Sequence, residues 1–597
     1  MGKRYRQDID VLKGIAIIAV ILYHLGVLKS GYLGVDAFFV INGFFVIPNL
    51  VQSFTTGDFS YTSFIRKRIL RLFPLIAIVS LASLVIGFFV MLPDDYENLA
   101  QSTIAANVMS ENILSAITAR SYWDVSNDFK PLMHLWYVGI LVEFYIIAPL
   151  LLYCSKWISR NKTIEKSSLL VFSIFSIASL ILYLLPFGSV THRFYFLHYR
   201  FFEIGIGGLV GLSCEKLSKI KYSNLIGSVA FVSVVLLFCC ALLNPFVGVD
   251  VNTGGVIGMS ASTETGIPIP SKMALILTVM LTAIFVGCGI RMVSIPASIL
   301  AFIGKMSFSL FITHQVFIAF YRYCISNKIE ATSLFILLSI ILATSLICYF
   351  FVERQDPNKI LFKCIYCFAA FVSMIFGGYI YANSGVVRDI PELCVYRNNA
   401  HRGMFSEYCD RIYKYKQFNE ASNKKKVLVV GVSFGRDFAN VLLESSYRDS
   451  IDLVYRWKWT EKDLESIIPD CDYIFSFSSK SDVPDYVWSN MKQGCNVWGI
   501  GTKNFGSCNG VIYKKHRRDD YFNQCVEILP GYQELNKQWK EEWGDKYIDM
   551  ISIAKVSDNR VRVFTDDNKF ISQDCNHLTQ AGAAWYAQEI DWSMIFD

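Results

Sequence analysis

The chain has 597 residues, of which 53% are hydrophobic, 15% aromatic and only 18% charged, with a mean hydropathy of +0.38. A soluble domain carries about 25% charge and fewer apolar residues, so composition excludes an ordinary soluble protein and points to a membrane protein. The net charge of +6 is modest and gives no reason to expect a nucleic-acid partner.

The first apolar run lacks a small-residue cleavage site and leads straight into another span, so it reads as a membrane helix rather than a signal peptide. Runs long enough to cross ~30 Å of hydrocarbon fall near 9–28, 33–51, 72–92, 132–153, 168–187, 200–214, 223–243, 273–290, 297–320, 332–352 and 363–382. They predict a polytopic α-helical membrane domain of about eleven transmembrane helices. The sixth run is the weakest, being short and rich in glycine. Every second loop is basic. Arg4 and Arg6 precede the first helix, and Arg66, Lys67, Arg68 and Arg71 precede the third. Lys156, Arg160, Lys162 and Lys166 follow the fourth, while Lys216, Lys219 and Lys221 follow the sixth. Arg291 follows the eighth, and Arg354, Lys359 and Lys363 lie between the tenth and eleventh. The positive-inside rule then puts the N-terminus in the cytoplasm, and an odd number of spans delivers residues 383–597 outside.

Inside the first run, "DIDVLKGIAIIAVILYHLGV" (8–27) holds Lys13 and His24. An ionisable group costs ~2.5–3.5 kcal/mol at a helix centre on insertion scales, so two of them need a reason. At about 100° per residue they come within ~20° of one helix face, ~16 Å apart along the axis. Lys13 fits snorkelling to the interface as well as a binding role. His24, toward the outer half, fits either a hydrogen-bonded core histidine or a functional group on a transmembrane route. "GYLGVDAFFVINGFFV" (31–46) puts Asp36 at the outer start of the second helix, and "FIRKRILRLFP" (64–74) sets Arg68 and Arg71 one turn apart. Those arginines satisfy the topology rule and equally suit a polyanion such as a nucleotide phosphate, which guanidinium forks bind well.

After Tyr381 the composition changes to short β-like runs alternating with charged helical stretches, an α/β pattern. "KKKVLVVGVSFGRDFANVLLE" (424–444) reads as a strand, a tight turn at Gly431–Gly435 and an amphipathic helix. "DYIFSFSS" (472–479) and "NVWGIGT" (496–502) read as further parallel-type strands, and "DCNHLTQAGAAWYAQEI" (574–590) as a loop and helix. Nine cysteines from Cys154 to Cys367 lie in or beside apolar helices, where a thiol acts as a small hydrophobe. The other seven are Cys394, Cys409, Cys471, Cys495, Cys508, Cys525 and Cys575. An oxidising compartment would permit disulfides, and Cys394–Cys409 is the pair expected from proximity. Their spacing matches no zinc pattern, so no metal is expected.

Seven stretches, "DIDVLKGIAIIAVILYH", "GYLGVDAFFVINGFF", "RKRILRLFP", "HLWYVGILVEFYIIAP" (134–149), "HYRFFEIGIGGLVG" (198–211), "IGKMSFSLFITHQVF" (303–317) and "YFFVERQ" (349–355), resemble in order the blocks of the membrane acyltransferase-3 family. The resemblance implies transfer of an acyl group, usually acetyl, from cytoplasmic acyl-CoA to an extracytoplasmic acceptor. It maps a basic residue and a histidine ten intervening positions apart onto Lys13 and His24, and an Arg-x-x-Arg pair onto Arg68 and Arg71. There is one departure. Where the family usually has two glutamates and a glutamine, this chain has Leu141, Val142 and Glu143, so a role for Glu143 is carried over only as a candidate.

"VGVSFG" and "DCNHLT" resemble the first and last blocks of the SGNH hydrolase fold, an α/β/α domain. That resemblance makes Ser433 the nucleophile, His577 the general base and Asp574 the residue orienting it. Asn504 in "GTKNFG", with a backbone N–H near Gly431 to Ser433, would form the oxyanion hole. The family's usual Asp before the serine is Val432 here, and a turn serine with a helix-capping Asp574/His577 pair remains the plain alternative. The expected organisation is 1–355 membrane acyltransferase domain, 356–382 an additional span, 383–423 a periplasmic linker and 424–597 the SGNH-like domain.

Together these readings predict a bacterial inner-membrane O-acetyltransferase. It would use acetyl-CoA as donor and act on a surface polysaccharide or lipid-linked glycan, with the O-antigen of lipopolysaccharide the leading acceptor. Membrane lipids are its other expected partners. The rival readings are a flippase or transporter of a glycan or lipid precursor, for which no inverted repeat is visible, and an acyltransferase whose outer domain is only an esterase or a sugar-binding module.

Overall fold

The computed structural model describes residues 5–118, 127–159, 163–217, 219–239, 272–290, 292, 294–326, 329–356, 359–399 and 405–596. The expected flanking residues Arg4, Arg160, Lys162 and Arg291 lie outside them. Contacts divide the chain into two compact units, one holding the helices up to Tyr381 and the other residues Ala382 onward with the short segment Val90–Asp94.

Helices stand on each expected apolar run. They begin with α1 (Gln7–His24), α2 (Gly34–Thr56) and α3 (Tyr61–Val90). Next come α4 (Pro93–Asn107) and α5 (Glu111–Thr118), two shorter helices that a search for apolar runs does not reveal. The series continues with α6 (Trp136–Ile158), α7 (Ile164–Leu184), α8 (Val190–Tyr195) and α9 (Leu197–Leu217). The last are α10 (Ser223–Cys239), α11 (Lys272–Cys288), α12 (Ile295–Lys305), α13 (Ser307–Cys324), α14 (Ala331–Cys348) and α15 (Ile360–Ala382).

Not all of these qualify as spans. Six stretches are long and apolar enough to cross a membrane: Gly31–Thr56, Tyr61–Val90, Met133–Ile158, Ile164–Leu184, Ala331–Glu353 and Ile360–Ala382. α12 and α13 make a seventh only if taken together, and they are bent by 69° where one straight helix over 297–320 was expected. α10 and α11 are apolar but only 17 residues each, and α1 and α9 carry charged side chains. Length and apolarity therefore support six or seven spans among the described residues, short of the eleven expected.

The glycines that weaken the sixth apolar run are its packing surface. A Cβ on Gly207 of α9 would collide with the Val40 carbonyl of α2, and one on Gly43 of α2 with the Ile204 carbonyl of α9. α1 and α12 cross in the same manner through Gly14 and Gly304. Lipid is as apolar as the side chains, so close backbone approach through small residues replaces the hydrophobic drive between helices.

The second unit is built on a parallel five-stranded sheet of β1 (Lys425–Val430), β2 (Ile451–Arg456), β3 (Tyr473–Ser476), β4 (Asn496–Ile500) and, after the short β5 (Cys525–Glu527), β6 (Tyr547–Ile548). The strand order is β2-β1-β3-β4-β6. Val427 to Val430 are buried in succession, as parallel strands covered on both faces require. β5 joins β7 (Lys555–Ser557) and β8 (Arg560–Arg562) in a small antiparallel sheet of order β5-β8-β7. The β1, β3 and β4 positions match the sequence reading. β2 and the short β6 were not read from it. The expected Cys394–Cys409 disulfide does not form: both thiols are free, Cys394 exposed and Cys409 buried. Burial pushes the Cys409 thiol well up, which keeps it a protonated, unreactive filler.

Candidate functional site

In the helical unit, α1 presents Lys13 and His24 to two different cavities. Lys13 borders a cavity of about 620 Å³ whose wall also carries Lys67, Arg71, Lys305 and Arg354 against the carboxylates of Asp10 and Glu353. Five cations facing two anions leave an electropositive chamber suited to a polyanion. Lys13 is bonded to Asp10 at 3.2 Å and lies 5.4 Å over the Phe45 ring. The Arg68/Arg71 pair is split by the helix. Arg71 lines this cavity, whereas Arg68 turns away to stack 5.3 Å from both the Phe64 and Tyr145 rings.

His24 borders a second cavity of about 230 Å³, walled by Tyr23, Tyr32, Trp136, Phe311, His134 and a set of buried charges. As the last residue of α1, His24 leaves a helix-terminal carbonyl, which accepts from Arg322 Nη2 at 2.8 Å. A cation at that end also complements the helix dipole. Arg322 Nη1 is in turn 2.7 Å from Asp128. Asp36 is fixed by Arg200, whose Nη1 reaches Asp36 Oδ1 at 2.8 Å and Glu203 Oε1 at 3.0 Å. Trp136 and Phe194 cover the guanidinium at 5.4 and 4.7 Å. Asp36 therefore borders the same cavity as His24. Glu143 does not: it accepts from Asn112 Nδ2 at 2.7 Å and lines neither cavity. His134, Arg200 and His314 lie in stretches that resemble the family's blocks but are not among the expected site residues, and neither is Arg322. An ionisable side chain inside an apolar run is the signal that finds His134, Arg200 and His314, the same one that marks His24; Arg322 lies just beyond the run 297–320.

In the second unit, β1 runs into the helix α16 (Ser433–Glu444), which opens at Ser433 itself. The turn needs Gly431, which has φ +154° and where a Cβ would stand 2.6 Å from Cβ of Phe477. Ser433 Oγ donates to His577 Nε2 at 2.9 Å, and His577 Nδ1–H donates to Asp574 Oδ2 at 2.5 Å. Asp574 Oδ1 also accepts from the N–H groups of His577 and Asn576, at 2.8 and 3.0 Å. Desolvation would raise the Asp574 carboxyl, but the His577 ring and these N–H groups outweigh it and hold it below the usual carboxylate range. Behind the row, Asp437 accepts from the Leu578 N–H at 3.0 Å and pairs with Lys503 Nζ at 2.8 Å. Burial lowers the Lys503 ammonium despite Asp437. Serine, imidazole and carboxylate thus form an aligned row capable of nucleophilic acyl chemistry.

Of the expected oxyanion donors, the Gly431 N–H and the Asn504 amide have other partners. The Gly431 N–H is spent on the Arg456 carbonyl at 3.0 Å. The Asn504 amide donates to Gly506 O and Asn576 Oδ1, each at 3.2 Å, and its oxygen accepts from Leu529 N at 2.9 Å. Asn504 is a loop-tying residue. The N–H groups at the start of α16, beside Ser433, are the donors that helix geometry leaves without intrahelical partners.

Comparison with known proteins bears on the helical unit. The family described as "Acyltransferase domain", acyltransferase-3, matches residues 6–353. A Staphylococcus aureus (strain MSSA476) protein named "Putative O-acetyltransferase" is 26% identical over 386 residues, covering 60% of this chain and 59% of that protein. A Komagataeibacter xylinus protein named "Putative membrane-bound transacylase" is 25% identical over 353 residues, covering 59% of this chain and 83% of its own length. The chain thus spans about three fifths of the S. aureus relative. No solved structure matches.

Proposed function

The chain belongs to the acyltransferase-3 family; on that premise we propose that it is a multi-pass membrane acyltransferase that carries an acetyl group from cytoplasmic acetyl-CoA to a hydroxyl of a surface polysaccharide. The O-antigen of lipopolysaccharide is the leading acceptor, and the bacterial inner membrane the setting, with the N-terminus inside and the second unit periplasmic. The observation that carries the reading is that one helix borders both an electropositive cavity, through Lys13, and an aromatic and histidine-lined cavity, through His24.

Arg71 and Lys13, with Lys305 and Arg354, hold the donor's phosphates by charge-assisted hydrogen bonds. Arg68 supports the wall by stacking. His24 acts on the thioester as base or as transient acyl carrier. The cavity around His24 suits a sugar ring, since aromatic faces take its apolar side and the charged groups its hydroxyls. The acetyl group then reaches the acceptor directly or by way of Ser433. An SGNH-like assignment of the second unit is supported by its parallel sheet and by the Ser433–His577–Asp574 row. That row also favours a second reading of the outer unit as an acetyl esterase.

The test uses inverted membrane vesicles given acetyl-CoA labelled in the acetyl group. Label should appear as alkali-labile ester on vesicle glycans, and His24→Ala should lower it by about 100-fold or more. Vesicles that take up no label from acetyl-CoA while the chain is present would sink the proposal.

A further inference from the structure

Behind His24 stands a row of imidazoles. The ring centroids of His24 and His314 are 5.2 Å apart, and those of His314 and His134 are also 5.2 Å apart. Three elements deliver them: the end of α1, the short turn Met133–Leu135 before α6, and the middle of α13.

The backbone fixes the tautomers. His314 Nδ1 lies 2.7 Å from Phe311 O and 3.1 Å from Leu310 O. Carbonyls only accept, so Nδ1 carries the hydrogen and Nε2 of the neutral ring is a bare lone pair. His134 Nε2 lies 3.1 Å from Ile312 O, which puts its hydrogen there and leaves Nδ1 bare. Among the described residues neither bare nitrogen has a hydrogen-bond partner, and the two residues are 0% and 2% exposed. A buried acceptor left unpaired costs about 1–3 kcal/mol, and an apolar side chain would avoid that cost. Among the described residues, the charged groups on the cavity that His24 and His134 share are Asp36, Asp128, Arg200 and Arg322, and Asp36 is paired with Arg200. Arg322 binds the His24 carbonyl and Asp128, and Tyr23 packs on His24 edge-to-face at 5.1 Å.

We propose that His314 is a positioning residue that fixes the tautomer of His24 and takes its proton when His24 attacks the acyl donor, with His134 next in the row. In this proposal the His24 nitrogen that carries the hydrogen donates to the lone pair at His314 Nε2, which leaves the other nitrogen of His24 as the nucleophile. Hydrogen bonds of this kind are often long without substrate and tighten when it binds. In the first half-reaction the C–N bond forms, the C–S bond breaks, and the thiolate leaves as the His24 proton moves to His314. In the second, the acceptor hydroxyl attacks the acylated imidazole, the C–O bond forms and the C–N bond breaks. The proton held on His314 returns to the His24 nitrogen it came from, and the hydroxyl proton goes to the thiolate. This inference rests on the proposed function and adds that His24 is the acyl carrier.

The test is acyl exchange, which needs no acceptor. Washed membranes holding the full-length chain receive acetyl-CoA and labelled CoA, and label entering acetyl-CoA reports the first half-reaction. The wild-type chain should exchange and His24→Ala should not. His314→Asn keeps a donor for the Leu310 and Phe311 carbonyls but has no basic nitrogen. At equal abundance it should exchange about 100-fold more slowly, and its rate should climb with pH where the wild type levels off. His314→Gln carries the same expectation if His314→Asn fails to accumulate. Wild-type rate and pH profile in either variant overturn the proposal. A wild-type chain that acetylates glycan without exchange also overturns it while leaving the proposed function standing. A chain that does neither overturns both.

Discussion

At the scale of single residues, each cavity makes its own demand on the side chains around it. Arg71 faces the electropositive chamber and Arg68 stacks on rings, so the two substitutions should separate. Arg71→Ala should raise KM for acetyl-CoA by about 10- to 100-fold, the cost of ~1.5–3 kcal/mol for a lost charged hydrogen bond. Arg68→Ala should leave KM within a few-fold and lower stability by about 0.5–1 kcal/mol through its lost ring contacts. In the outer unit, the folded Asp574 carboxyl is held below its ordinary value near ~3.9. Its contribution to stability is therefore fully present above that value and is lost as pH falls through the folded one. The stability gap between wild type and Asp574→Asn should accordingly close at acid pH in denaturant titrations. Much of this site could be read from sequence. Ser433, His577 and Asp574 meet because a strand-turn-helix and a closing loop bring them together. The bonds that Asn504 and the Gly431 N–H make were not legible, because a type of residue says nothing about where its hydrogen bonds are committed.

At the scale of elements, close helix crossings and a buried charge cluster hold the helical unit together. Gly207→Leu would force α9 off α2, and overpacking of this kind costs about 1–3 kcal/mol. Arg200→Met would leave Asp36 and Glu203 buried without their cation, a loss of about 3–5 kcal/mol. Both variants should melt earlier in detergent, Arg200→Met by more, while a conservative surface change such as Lys219→Arg should not. Apolar runs locate helices well because ~30 Å of hydrocarbon demands length. They do not reveal α4 and α5, whose apolar content is local, or the break between α12 and α13, which tertiary packing sets. They also undervalue α9, whose glycines suit contact with α2 rather than hydropathy.

For the whole molecule, the proposed orientation makes a topological prediction. Cys394 is exposed, so in intact cells of the full-length chain a membrane-impermeant maleimide should label it, and Cys394→Ser should remove that signal. Labelling only after the membrane is opened would reverse the assigned orientation. Basic loops carried that assignment in sequence, whereas the acceptor is not legible because aromatic and charged walls suit many sugars. Whether His24 moves the acetyl group is decided by mass spectrometry of surface glycans from cells carrying the wild type or His24→Ala. O-acetylated glycan is expected in the first and its loss in the second at equal protein abundance; undiminished acetylation with His24→Ala would remove His24 from the transfer.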